Sequence, residues 1–167
     1  FLRHIAASPH HSFTLSPHHS FTTSLFHSFT ISLMPSIFSR IIAGEIPCHK
    51  IAENEHFFAF LDINPLAAGH TLIVPKNETD YLFDMPDTEL GNMMVFAKGV
   101  AKAIEKAIPC LRIGVTVIGL EVPHAHIHLI PMTSHGTDDL NFTKTRASFT
   151  PDQYTQIATL IKQHYNA

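Results

Sequence analysis

The sequence predicts an α+β fold, an antiparallel sheet with helices packed against it. Apolar residues recur at helical spacing in three separated stretches, and runs rich in β-branched and aromatic residues lie between them. Connections early in the chain are too short for repeated crossovers between parallel strands, which need a dozen or more residues.

The elements follow in order. Ile37, Phe38, Ile41 and Ile42 stand at i, i+1, i+4 and i+5, with Gly44 where a helix C-terminal cap belongs, so a short amphipathic helix is expected from Ser36. Residues 50–52 predict a brief strand. Residues 56–63, with Phe57, Phe58, Phe60 and Leu61, predict another, stopped by Asn64-Pro65. Ala67-Ala68-Gly69 turns the chain into a β-rich run over 70–75, and the two neighbouring runs are expected to pair antiparallel. A long helix is predicted from Asp84 or Asp87 to Ala107. Its stripe is Leu90, Met93, Met94, Ala97, Val100, Ala101, Ile104 and Ile108, with both methionines read as adaptable core filler. Acids at its start suit the helix dipole, and Pro109 stops it. Residues 112–118 form a β-branched run ended by Gly119, and residues 132–148, polar and uneven, read as a loop. Thr150 as N-cap and Pro151 at the first helical position start a final helix reaching about His164, with a stripe of Tyr154, Ile157, Leu160, Ile161 and Tyr165.

Between the fourth run and the final loop stands Pro123-His124-Ala125-His126-Ile127-His128-Leu129-Ile130-Pro131. Strict alternation is the mark of a half-buried strand, which would turn all three imidazoles to one face and Ala125, Ile127 and Leu129 to the other. A single histidine is usually a surface or core residue. Packing gains nothing from three titratable rings on one sheet face, so the face is read as chemical.

At 167 residues the chain is long enough for one domain with a substantial core. No apolar run reaches the ~20 residues of a membrane span. The net charge of −3 gives no broad electrostatic footprint for nucleic acid, so any phosphate must be met locally. Cys48 and Cys110 have no CxxC spacing, against a zinc knuckle or disulfide scaffold, and a reducing cytoplasm is the expected setting. Residues 1–33 differ in composition. They are rich in Ser, His, Phe and Thr, hold no acid, and repeat Ser8-Pro-His-His-Ser-Phe-Thr-Leu15 as Ser16-Pro-His-His-Ser-Phe-Thr-Thr23. So short a repeat cannot bury a face of its own, and disorder is expected. His-rich metal binding and an organellar leader are alternatives, but a leader of that kind is Arg-rich and only Arg3 is present. The favoured reading places these residues upstream of a natural start at Met34, leaving 34–167 as the domain.

Three histidines on a strand admit two chemistries. Imidazole is the commonest zinc ligand, but alternate strand residues are ~6.6 Å apart, whereas zinc ligands must all lie ~2.1 Å from the ion. A single three-histidine site is therefore poor, and a two-histidine site completed from elsewhere stays open. In the second chemistry the middle imidazole attacks phosphorus while its neighbours bind or protonate oxygens around it.

His124-Ala-His126-Ile-His128-Leu-Ile130 resembles the HφHφHφφ signature of the histidine triad (HIT) nucleotide hydrolases and transferases. Ile37-Phe38-Ser-Arg-Ile41-Ile42-Ala-Gly-Glu45-Ile46-Pro47 is similar to that family's opening helix. Phe60-Leu-Asp62-Ile63-Asn-Pro65 with Gly69-His70-Thr-Leu-Ile-Val-Pro75-Lys76 resembles its ribose-binding strand pair. The resemblance implies His126 as nucleophile on the α-phosphorus of a purine nucleotide, giving a nucleotidyl-histidine that water hydrolyses. His124 and His128 would bind phosphate or set the tautomer, with His70 beside them. Asp62 would take the ribose hydroxyls, and Ile37, Phe38, Ile41, Phe60 and Ile63 would hold the base. It also implies AMP as the released nucleotide, no cofactor and a homodimer; from the charge and the apolar runs, no nucleic-acid or membrane partner is expected. A nucleotide-binding or sensing module with little turnover is the rival reading, and a metal-dependent hydrolase the third.

The chain departs from the family pattern at three places. Ile113 and Leu120 stand where an Asn and a Gln are common, and Glu121 where a small hydroxyl is common, so polar phosphate contacts are expected to be missing on that side. Ser36 and Ser39 occupy positions where some members carry zinc-binding cysteines, so no structural zinc is expected there.

Overall fold

The computed structural model describes residues 34–165, and the expectations for residues 1–33 lie outside the described residues. The order is α1 (Ile37–Ile42), β1 (Lys50–Glu53), β2 (Phe57–Leu61), β3 (Thr71–Pro75), α2 (Asp87–Ala107), β4 (Arg112–Thr116), β5 (Ile127–Met132) and α3 (Pro151–Tyr165). Short 3-10 turns at Leu82–Asp84 and Asp138–Leu140 punctuate the loops. The five strands form one sheet in the order β1-β2-β3-β5-β4, every neighbouring pair antiparallel, as the sequence predicts. None of the helices among the described residues is long and apolar enough to cross a membrane.

The sheet is covered on both faces. Phe57, Ala59, Leu61, Ile73, Ile127 and Leu129 pack against α2 and α3 in the larger core, while Phe58, Phe60, Leu72 and Val74 turn the other way and meet Phe38 of α1. Double coverage explains why β2 is the unbroken apolar run FFAFL instead of a polar alternation. It also corrects the expectation of a half-buried histidine strand, since β5 is buried on both faces. The strand is shifted as well. It begins at Ile127, so His124 and His126 precede it. The β3–β5 register pairs Thr71 with Leu129 and Ile73 with Ile127. Continuing it would set Ala125 opposite Pro75, which has no N–H to give. The Ala125 N–H goes instead to the Thr79 carbonyl at 2.6 Å.

Local signals account for the helix ends. Ser36 caps α1, its hydroxyl accepting the Ser39 N–H at 3.1 Å, and Gly44 takes φ +78° just past the end, where a side chain would be strained. Thr150 and Gln153 form a reciprocal capping box on α3, with the Gln153 N–H donated to the Thr150 hydroxyl at 3.3 Å and the Thr150 N–H to the Gln153 side chain at 2.8 Å. Two stripe assignments are corrected. On α2, Met94 is exposed and Phe96 is buried between Phe57 and Tyr165, so only Met93 fills the core. On α3, Leu160 is exposed while Ala158 and Ile161 are buried. Both helices are wide-faced at these points, and a small residue or an aromatic at the seam packs where periodicity alone favours its neighbour.

Candidate active site

The four predicted histidines converge on the α1 side of the sheet. His70, His124, His126 and His128 are 1%, 0%, 6% and 8% exposed, so each ring nitrogen needs a partner or an opening. Their hydrogen bonds determine the tautomers. The Leu66 N–H donates to His70 Nδ1 at 3.0 Å, so neutral His70 carries its proton on Nε2 and gives it to His128 Nδ1, 3.0 Å away. His128 must then hold its own proton on Nε2. A carbonyl can only accept, so the 2.7 Å contact between His126 Nδ1 and the His124 carbonyl is donated by His126. That leaves a lone pair on neutral His126 Nε2. The same logic puts the His124 proton on Nε2, bonded to the Pro75 carbonyl at 2.8 Å. The Ser36 hydroxyl therefore donates to His124 Nδ1 at 2.7 Å.

His126 and His128 touch edge to face, with ring centroids 4.9 Å apart, and His126 also meets the Phe38 ring at 5.2 Å. Burial, with the neighbouring imidazoles and the Arg146 charge adding to it, pushes the His128 pKa down to about 3. Burial and then Arg146 push His70 to about 3. Burial also lowers His124, opposed by its bond to Pro75 and by Glu78. These rings are neutral near pH 7, as the tautomer chain requires.

Two cavities meet at His126 and His128. The apolar one, about 210 Å³, is lined by Ile37, Phe38, Ile41, Phe60, Ile63 and Asp62, which are the residues expected from sequence. Ile46, Pro47, Cys48, Leu72, Glu121 and Val122 complete it. The second, about 320 Å³, is lined by Asp62 and Asn64 on one side, by residues 118–121 on another, and by Phe142, Thr143 and Arg146. Asp62 thus sits at the rim of both. Its Oδ1 accepts the Asn64 N–H at 2.8 Å, and its Oδ2 lies 3.6 Å from His70 Nδ1.

The departures from the family pattern fall in different places. Leu120 and Glu121 line the second cavity and are exposed, whereas Ile113 packs against the helix-side core and lines neither cavity. Phe142, Thr143 and Arg146, from a stretch the sequence showed only as an uneven loop, line the same cavity. The loop returns to the site because the Ala147 N–H is bonded to the Pro65 carbonyl at 2.9 Å, and a long-range backbone bond leaves no periodic trace.

Asp62, His70 and His128 could hold a cation, their ligand atoms lying within 4.8 Å of one another, but His70 Nε2 and His128 Nδ1 are already bonded to each other. A second cluster joins Ser36, Ser39, Glu78 and His124. The Ser36 N–H donates to Glu78 at 3.0 Å, and the Ser39 hydroxyl donates to the same carboxylate. Three oxygens and one imidazole, each with an internal partner, do not fit a structural zinc, which takes thiolates and imidazoles.

The HIT domain model matches residues 43–135. An uncharacterized HIT-like protein of Methanocaldococcus jannaschii is 45% identical over 102 residues, covering 57% of this chain and 77% of that protein. An adenosine 5'-monophosphoramidase of Saccharomyces cerevisiae is 44% identical over 96 residues, covering 57% of this chain and 61% of its own length. Among solved structures, a HIT-like protein from Bartonella henselae superposes with a TM-score of 0.67 at 28% identity, covering 77% of this chain and 95% of that one. A zinc-bound histidine triad family protein from Mycobacterium smegmatis gives 0.66 at 27% identity, covering 78% and 92%. With the family model spanning more than half of its length, this chain belongs to the histidine triad (HIT) family.

Proposed function

We propose that this chain is a nucleotide hydrolase that releases a nucleoside monophosphate, AMP, from a phosphoramidate, ester or anhydride through a nucleotidyl-histidine. The carrying observation is the 2.7 Å bond from His126 Nδ1 to the His124 carbonyl, which leaves the Nε2 lone pair at the junction of the two cavities. In this reading the base lies in the apolar cavity, and Asp62 accepts from the ribose hydroxyls. His126 Nε2 attacks the α-phosphorus, forming an N–P bond as the bond to the leaving group breaks. Neutral His128 donates its Nε2–H as a hydrogen bond to a phosphate oxygen, and the departing nitrogen or oxygen takes its proton from water. Water then attacks the same phosphorus and loses its proton to solvent as the N–P bond breaks, returning neutral His126 and AMP.

The family resemblance implies a homodimer, and β4 supports it. This strand is at the sheet edge, with Val115 and the following Val117 and Ile118 exposed, and an apolar edge is a template for pairing.

The test is AMP release from adenosine 5'-phosphoramidate. Wild type should turn over, and His126→Ala should abolish release while AMP binding stays measurable by calorimetry. Absence of release from phosphoramidates and dinucleoside polyphosphates by wild type would leave the nucleotide-binding module as the reading. Release stopped by EDTA and restored by zinc would favour metal-dependent hydrolysis at Asp62, His70 and His128, whose ligand atoms are close enough to share an ion.

A further inference from the structure

Arg146 is the one Lys or Arg lining the second cavity among the described residues. Its guanidinium lies over the Phe142 ring, 5.1 Å from the centroid, and that ring meets His128 edge on at 5.0 Å. Its charge is felt at both His70 and His128. The segment that carries it is fastened on both sides. Asn141 Oδ1 accepts the Thr143 N–H and hydroxyl at 3.0 and 2.7 Å, and the Ala147 N–H is held by Pro65. Lys144, two residues earlier, faces Asp138 and Asp139 at 3.7 and 3.8 Å. Arg146 is half-buried, and among the described residues it has no carboxylate within ion-pair distance, although Asp62 and Glu121 line the same cavity.

A half-buried guanidinium held on an aromatic face, with its N–H fork unengaged, is built to receive anionic oxygens, because the fork matches a carboxylate or phosphate edge with two parallel bonds. Its location selects which anion. It lines the cavity that meets the apolar slot at His126 and His128 and does not line the slot itself, so with the base in the slot it meets what departs from the α-phosphorus. Resting on the proposed reaction, we infer that Arg146 determines leaving-group specificity, favouring groups that carry a carboxylate or a further phosphate over a neutral one. Glu121 is exposed and free to turn to solvent, whereas Arg146 is held against Phe142, so the cation sets the preference.

The experiment compares kcat/KM on three substrates: adenosine 5'-phosphoramidate, its N-linked alanine derivative, and diadenosine triphosphate. Wild type should favour one or both of the anionic leaving groups. Arg146→Gln should lower that preference by roughly ten- to a hundredfold, the worth of a charge-assisted hydrogen bond. Arg146→Lys should restore part of it, and the substrate that loses its advantage identifies the anion. A preference unchanged by Arg146→Gln, or a parallel loss on all three substrates, overturns the inference. A binding comparison separates it from the reaction itself. Wild type should bind ADP more tightly than AMP, and the ratio should collapse in Arg146→Gln. An Arg146-dependent ratio without turnover would keep Arg146 as a contact for the second phosphate but reject the hydrolase and, with it, the leaving-group role. Equal affinities for ADP and AMP in both proteins would reject the inference even if AMP release is fast.

Discussion

Acid should destabilise this domain through its buried histidines before it reaches the range in which Glu53, Glu78 and Asp139 lose their contributions. His70 and His128 have an ordinary pKa of 6.5 in the unfolded chain and about 3 in the fold, chiefly because burial disfavours the charged ring. The folded values lie below the unfolded ones. Their contribution is therefore fully present above pH 6.5 and is lost as pH falls from 6.5 toward 3, while the unfolded chain takes up protons that the fold refuses. Each group contributes a slope approaching ~1.4 kcal/mol per pH unit, so moving from pH 7.5 to 5 removes about 2 kcal/mol per ring, or about 4 kcal/mol for the two. His124, lowered by burial, adds in the same direction. Glu53, Glu78 and Asp139 have lowered pKa values and lose their contributions only below their unfolded values near 4, outside this window. A loss of that size is a large part of the roughly 5–15 kcal/mol of an ordinary domain. The assay is urea unfolding followed by circular dichroism at fixed ionic strength from pH 7.5 to 5, on wild type and on His70→Gln. The variant should show a slope smaller by about one proton. A wild-type stability constant to within about 1 kcal/mol across that range, or an unchanged slope in the variant, would refute the reasoning.

Two further outcomes follow from the geometry. Ser36→Ala removes both the α1 cap and the donor to His124 Nδ1, so stability in urea should fall by ~1–3 kcal/mol; a change below about 0.5 kcal/mol would mean that neither bond matters. Val115→Lys places a charge on the exposed β4 edge and should convert a dimer to a monomer in light scattering after gel filtration, whereas a monomeric wild type would remove the dimer proposal.

The sequence made much of the frame legible. Strand and helix types follow from apolar periodicity, and the ends of α1 and α3 follow from Ser36, Gly44, Thr150 and Pro151, because capping is local chemistry. The residues expected at the site gather there because they lie on adjacent strands and on the short helix packed over them. Less legible was the start of the histidine strand, since the ladder ends where Pro75 offers no donor and that pairing depends on register. The exposure of Met94 in place of Phe96 was also hidden, because a helix face widens with the partner it meets.

What the sequence by itself determined is the chemistry of the centre: imidazoles in alternation, an upstream histidine and a strand-end carboxylate. Tertiary structure alone decided how that chemistry is arranged. The Leu66 N–H, the His124 carbonyl and the Pro75 carbonyl choose which nitrogen of each ring holds a proton, and they come from three separate segments. The Pro65–Ala147 bond brings Arg146 to the second cavity from a loop whose composition gave no sign of it. The physical reason is common to both. Hydrogen-bond partners distant in sequence are specified by the packing of the whole sheet, not by the spacing of the residues that use them.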